Sequence, residues 1–336
     1  NLQRSNTNNI PRYDRSTLPG PDKFDYAEWY YGPQLRSLAA YQVSIHSMPG
    51  FFNRLNAGIN YQYSEESRHQ RKFNSLNLDN RFEKVNSIGY TVTLQKITAT
   101  HNLRLGTEGR IERLKSTAFR ETINTHEKQP LDTRYPDGKN SMQFYALYAT
   151  HTWKVTDKWI LNDGLRFQTT HLYSEFVSRD FFPFPFTESS QRNSALTGSI
   201  GINFLPESDW KISTLISTGF RVPNVDNTGK VFDSQPGVLI VPNPNLKPEK
   251  TYNADFSIIK IFFEKIKWEN TVFYTFYRNA IVLDRFQFSG NDSVFYDGEM
   301  SGVFASQNKR KAFITGFSSS LFAEITSSFS FRGTLS

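Results

Sequence analysis

The chain contains no cysteine, which excludes disulfide frameworks and thiolate metal sites. It has no run of about 18 apolar residues, so no helix of it can cross a bilayer. Mean hydropathy is −0.53, a value that a water-soluble chain would also give. There is no Gly-Xaa-Ser-Xaa-Gly elbow and no phosphate-cradling glycine loop. None of the six histidines, at 46, 69, 101, 126, 151 and 171, stands in a zinc-type spacing. No catalytic set emerges, and the chain does not read as an enzyme. The net charge of +7 is interspersed with acidic residues, which argues against a nucleic-acid stripe. The first residues carry no Met, basic n-region or apolar h-region, so no signal peptide is expected in them.

What the chain has in quantity is aromatic side chains, 15% of residues, led by thirty Phe and sixteen Tyr. Low hydropathy with many aromatics suits a membrane barrel, where only alternate residues of each strand face lipid. A soluble all-β protein can share that composition, so the pattern along the chain has to decide. Tyr252, Ala254, Phe256 and Ile258 alternate with Thr251, Asn253, Asp255 and Ser257, the period-2 mark of a strand with one apolar face. The same alternation runs through 35–46, 54–63, 87–94, 103–112, 159–170, 196–204, 210–220 and 267–282, with a less clean strand over 141–155. About twelve strands are expected. Several reach the roughly 9–11 residues of a membrane span.

Tight turns fall near 49, 100, 157, 208, 264 and 325, and long loops fall between them: 66–84, 113–140, 177–192, 221–249 and 284–308. Short turns at one rim and long loops at the other are the asymmetry of membrane barrels. Trp153, Trp159, Trp210 and Trp268 flank tight turns, where an indole at a membrane interface satisfies both its ring and its N–H; Trp29 does not. The stretch Phe181-Phe182-Pro183-Phe184-Pro185-Phe186 is aromatic but cannot be a central strand.

The loop after Gly219 carries the specific signal. It opens on Phe220-Arg221-Val222-Pro223 and closes on Asn243-Pro244-Asn245-Leu246-Lys247-Pro248-Glu249. Prolines 223, 236, 242, 244 and 248 exclude a central strand. A connection of this length in an ordered all-β chain is a candidate for function. The two boxes resemble the FRAP and NPNL boxes of TonB-dependent outer-membrane receptors, with Val222 where Ala is commoner. The barrel pattern extends that resemblance over nearly the whole chain.

The resemblance implies an all-β, antiparallel up-and-down barrel in the outer membrane, with the chain forming part of the roughly 22 strands of such a transporter. An N-terminal plug, a TonB box and the last strands are expected outside residues 1–336. It further implies active import of an iron-containing ligand, haem or a ferric siderophore. The implied partners are TonB, outer-membrane lipid and a small-molecule or haem-protein cargo; no covalently held cofactor is expected. Alternatives are a cobalamin receptor, a passive porin, a barrel enzyme, or a soluble carbohydrate-binding β-sandwich.

Haem receptors of this family often carry an axial His between the boxes, and residues 224–242 contain no His, Tyr, Met or Cys. His126, Tyr135 and His69 are the loop residues left to ligate iron, unless they are simply solvated. Arg104, Arg110 and Arg166 would suit anionic cargo, or would pair with Glu108 and Glu112 along the wall. His46, His101 and His151 are expected to face the lumen or the aromatic girdle. Phe220, Arg221, Pro223, Asn243, Pro244, Asn245, Leu246, Pro248 and Glu249 are expected to fix the return of the loop onto the wall, because Asn side chains close turns and proline sets φ.

Overall fold

The computed structural model describes residues 1–20, 24–178, 180, 185–235, 237–296 and 299–336, with the backbone alone at 232–235, 299 and 310. Phe181 to Phe184 of the aromatic stretch, and Pro236, lie outside the described residues. Twelve long strands dominate: Leu35–His46, Arg54–Lys72, Asn77–Ile97, His101–Thr122, Asn140–Lys154, Trp159–Glu175, Glu188–Phe204, Trp210–Arg221, Glu249–Phe262, Ile266–Arg285, Glu299–Thr326 and Phe329–Leu335. Each pairs antiparallel with the next. The short strand Leu2–Asn6 adds to the first of them. The result is one meandering sheet, open among the described residues.

The register shows why the alternation matters. Directly opposed residues share a face. Tyr41, Ile59 and Tyr90 form one row. Leu147, Phe167 and Leu196 form another, and Ile200, Ile216, Ala254 and Tyr274 a third. These rows all lie on the same side and are open to the surroundings, with Leu165 61%, Leu196 68% and Phe313 67% exposed. The opposite face is polar, as in the row Ser199, Ser217, Asn253 and Thr275. Among the described residues no second sheet covers the apolar rows, which excludes a soluble sandwich with a dry centre and leaves hydrocarbon as the medium that suits them.

Short connections of two to five residues stand where tight turns are expected, after strands ending at Ile97, Lys154, Phe204, Phe262 and Thr326, while the one after His46 is longer, residues 47–53. At 263–264 two non-glycine residues, Phe263 (φ 53°) and Glu264 (φ 56°), both adopt left-handed backbone. The Lys265 N–H closes this three-residue connection on the Phe262 carbonyl at 3.1 Å, and left-handed central residues give a turn the twist that hairpin strands need. Trp153, Trp159, Trp210 and Trp268 lie on the apolar face beside these turns.

The other rim departs from the expectation of long loops. Residues 66–84 are not a loop: the strands run on to Lys72 and restart at Asn77. The 101–122 strand likewise continues well past 112, and the strand expected to begin near 308 starts at Glu299. These extensions rise beyond a membrane span, and what those over 66–84 and 113–122 bury is polar, Ser67, His69, Asp79, Asn80, Glu83 and Ser116, so the period-2 signal disappears although the backbone ladder persists.

The buried apolar core is small and sits at this rim. Phe176, Val231, Leu239, Val241, Phe288, Val303 and Ala305 pack together, with Phe186, Phe286, Val294 and Tyr296 against them. They come from the loop after 175, the 222–248 loop, the loop after 285 and the start of the 299–326 strand. Val238–Ile240 pairs in parallel with Gly302 to Phe304, so the loop between the boxes becomes an extra piece of sheet packed against the start of that strand.

Candidate functional site

The two boxes begin and end the same crossing. Arg221 is the last residue of its strand, Glu249 the first of the next, and they are directly opposed. Phe220 precedes Arg221 in the ladder, opposite Lys250. Glu249 is buried, and its Oε2 accepts a 2.8 Å hydrogen bond from the Ile281 N–H. Arg221 reaches that oxygen only at 4.0 Å from an exposed position, so the backbone bond holds Glu249 more than the ion pair does.

Between them, Pro223 and Pro242 are fully buried. Asn224 starts a single helical turn, Val225–Thr228, and exchanges hydrogen bonds with Asn227: each backbone N–H is received by the other's side chain, at 3.2 and 3.3 Å. This is the logic of a capping box. The Asn243 amide donates to the Ser306 carbonyl at 2.8 Å, and its Oδ1 accepts from the Asn245 N–H at 3.1 Å. Gln191 donates to the carbonyls of Pro244 and Leu246. Asn308 receives the Lys247 N–H at 2.7 Å and donates to the Lys247 carbonyl at 2.9 Å. Leu246 is buried, and Pro248 follows where the chain enters the ladder. Strands on both sides of the crossing thus grip the closing box.

Tyr135 is drawn to the same place. Its hydroxyl donates to Asp226 at 3.0 Å, across 91 residues of sequence. Burial, and then the neighbouring Asp226 carboxylate, push the phenol pKa up, so Tyr135 stays a neutral donor. Nearby, Tyr296 donates to Asp132 at 2.6 Å, and Arg81 donates to the Asp132 carbonyl. Burial raises the Asp132 carboxyl despite that hydrogen bond. A cavity of about 300 Å³ lies between the wall and the helical turn, lined by Arg68, Glu83, Tyr135, Asn140 and Asp226 and by Val85, Leu114 and Met142 among others. Glu83 is deeply buried and its pKa is raised by burial, opposed by Arg68. The Arg68–Glu83 pair is 3.7 Å apart, beyond hydrogen-bond distance.

The remaining residues singled out in the sequence do not gather here. His69 is buried, and burial lowers its pKa. Its Nδ1 meets Asn80 at 2.6 Å, its Nε2 meets Ser67 at 3.0 Å, and its ring stacks on Tyr30; neither nitrogen presents a lone pair to open space. His126 is exposed, with left-handed backbone, and pairs with Glu121 at 2.7 Å. On the polar face Arg166 bonds to Glu108 at 2.5 Å and lies over the Phe144 ring, while Arg110 pairs with Glu112 at 3.2 Å. Arg104 is exposed, without an ion pair among the described residues. Sequence reading missed Gln191, Ser306, Asn308, Asp132 and Tyr296. They lie 53 to 164 residues from their partners and carry no local motif.

Comparison with known proteins agrees with this architecture. The family model described as TonB dependent receptor-like, beta-barrel matches residues 1–335. No curated protein matches the chain in sequence. Among solved structures the copper transporter OprC superposes with a TM-score of 0.72 at 12% identity, covering 93% of this chain and 47% of that one. The ferric yersiniabactin uptake receptor FyuA from Yersinia pestis gives 0.64 at 14% identity, covering 98% and 46%. The Serratia marcescens hemophore receptor HasR, in complex with its hemophore HasA and heme, gives 0.62 at 15% identity, covering 88% and 47%. The chain spans less than half the length of these structures. With a family model matched over nearly every residue, this chain belongs to the TonB-dependent receptor family, within its β-barrel.

Proposed function

We propose that this barrel segment serves TonB-driven active import of a haem or ferric-siderophore ligand across the outer membrane. The observation that carries the reading is the loop between the boxes. It is tied to the wall through Asn243, Leu246 and Glu249 and packed into a dry cluster at the long-strand rim, beside a lumen face of hydrogen-bonding side chains that includes the exposed Arg104. A plain porin has no need of such a tethered crossing. Coupling to TonB is assigned to a plug and TonB box outside these residues. The cargo enters either as a small molecule or from a haem-carrying protein; HasR, a structural neighbour, is a hemophore receptor solved with its hemophore and heme.

What the residues do not offer also bears on recognition. His69 has both nitrogens occupied and Tyr135 is held as a neutral phenol, so cargo is recognised through its periphery rather than by iron ligation from these two. Uptake by a strain deleted for the full gene tests this. Loss of growth on haem or on a ferric siderophore as sole iron source is expected. Unchanged growth on haem, siderophores and cobalamin alike would overturn it.

A further inference from the structure

Three titratable side chains form a connected chain on the apolar outer face, where such groups are costly unless they have a partner. Asp163 sits directly opposite His151, and His151 opposite Leu103. Leu103 shares its face with His101, which stands opposite Trp153. Asp163 Oδ2 lies 3.2 Å from His151 Nδ1. His151 Nε2 lies 3.0 Å from His101 Nδ1, and the two rings are within 10° of coplanar. His101 also stacks on the Trp153 indole, 5.7 Å between centroids.

Hydrogen-bonding capacity fixes the polarity of this chain. A carboxylate only accepts, so His151 Nδ1 carries the hydrogen. In the neutral ring Nε2 then accepts from His101 Nδ1–H, which leaves the His101 Nε2 lone pair pointing outward. Neither that nitrogen nor Asp163 Oδ1 has a hydrogen-bond partner among the described residues. The assembly therefore presents two acceptors and one negative charge. Lys96 adds a positive charge on the same face: it is paired with Leu103, which is itself paired with His151, so its backbone is about 10 Å from that of His151 at the usual strand spacing. The Lys96 ammonium lies 5.6 Å from the Phe51 ring centre. His101 is level with Trp153, and His151 is two residues further from the tight turn, about 5 Å deeper once strand tilt is allowed for. The chain thus runs from the girdle to its inner edge, where a headgroup ammonium meets the first acyl carbons.

We propose that Asp163, His151, His101 and Lys96 bind the headgroup of a phosphoethanolamine lipid in the leaflet nearest the tight turns. The primary ammonium donates to Asp163 Oδ1 and His101 Nε2, and the phosphate pairs with Lys96. A choline headgroup has no N–H to give, and a glycerol headgroup has no cation. Two other uses of the cluster fail on the structure. No group of three His, Cys, Asp or Glu suited to a metal occurs among the described residues. The neighbouring hydroxyl, Thr98 Oγ1, accepts from the His101 backbone N–H and donates to the His101 carbonyl rather than to an imidazole, and among the described residues no serine hydroxyl bonds to either histidine.

The inference rests on the reading that this face meets lipid. The test uses the full-length receptor, with insertion into vesicles checked first by the mobility of unheated samples on gels. The barrel is then equilibrated with equal amounts of phosphatidylethanolamine, phosphatidylcholine and phosphatidylglycerol, and the retained lipids are counted by native mass spectrometry. At least about tenfold enrichment of the ethanolamine lipid is expected, as befits the charge-assisted hydrogen bonds to Asp163 and His101 that the other two headgroups do not make. Asp163→Asn should abolish it, whereas Lys96→Gln, which removes the partner of the phosphate that all three lipids share, should lower retention of all three and leave their ratio unchanged. His101→Gln, which alters only the end of the chain, should weaken the enrichment and serves if Asp163→Asn fails to fold. Equal retention of the three lipids, or selectivity that survives Asp163→Asn, overturns the proposal alone. Failure of the wild-type barrel to insert overturns the membrane reading and the proposal with it.

Discussion

At the scale of single residues, the rim of long strands is held by a few buried polar groups whose partners are far away in sequence. Glu249 is the clearest. Truncation to Ala would leave the Ile281 N–H without its acceptor, a loss of about 1–3 kcal/mol. It should appear as faster hydrogen exchange at Ile281 and in the 243–249 segment, with the melting of the membrane strands little changed; uniform destabilisation of the barrel would contradict this. Glu83 and Asp132 predict a pH dependence. Both carboxyls are raised by burial, so the folded rim holds their protons more tightly than the unfolded chain does. Their contribution to stability is present below the ordinary carboxyl range and is lost as pH rises through the raised values. The free energy of local opening at 131–136, from exchange corrected for intrinsic rates, should therefore fall as pH rises, and Glu83→Gln should flatten the slope. A slope of opposite sign would refute the assignment. His69 works in the other direction: its lowered pKa means that its share of stability is lost as pH falls.

At the scale of elements, hairpins and loops behave differently. The 263–264 turn forces two L-residues into left-handed backbone, at a cost of about 1 kcal/mol or more each. Glu264→Gly should stabilise the hairpin by about 1 kcal/mol, measured as a higher midpoint in urea unfolding; a lower midpoint would mean that the Glu264 side chain contributes something the turn geometry does not show. The loop between the boxes depends instead on its dry cluster. Leu239 is completely buried there, and Leu239→Ala should cost about 2–5 kcal/mol. That loss should be local, exposing 223–242 to protease while the barrel stays folded. Proteolysis unchanged from wild type would show that the hydrogen bonds of Asn243 and Asn308 hold the crossing without the cluster. The sequence made the turns and the boxes legible because each is a short-range signal: proline, asparagine and charged residues in a row. The cluster was not legible, since Phe176, Leu239, Phe288 and Val303 meet only when four separated segments converge.

At the scale of the whole molecule, the governing fact is that the sheet has an apolar face that none of the described residues covers. Adjacent residues on opposite faces should respond oppositely to charge. Ile200 lies on the exposed apolar face and Ser199 on the polar one. Ile200→Arg should cost about 2–4 kcal/mol of folding in a bilayer, and Ser199→Arg close to nothing. Equal effects, measured by folding titrations into lipid vesicles, would mean that the apolar rows do not meet lipid.

The order of the chain alone determined that these residues alternate, turn tightly on one rim and carry the two boxes. Those features follow from side-chain period and backbone chemistry, which act over a few residues. It did not determine how far the strands run past the membrane. Over 66–84 the buried side chains are polar, Ser67, His69, Asp79, Asn80 and Glu83, and a ladder of backbone hydrogen bonds leaves no hydrophobic trace. Nor did it show that Tyr135 reaches Asp226, that Asn308 clasps Lys247, or that Asp163 and two histidines join on the outer face. Such contacts are set by the register between strands, and register exists only once the sheet has formed.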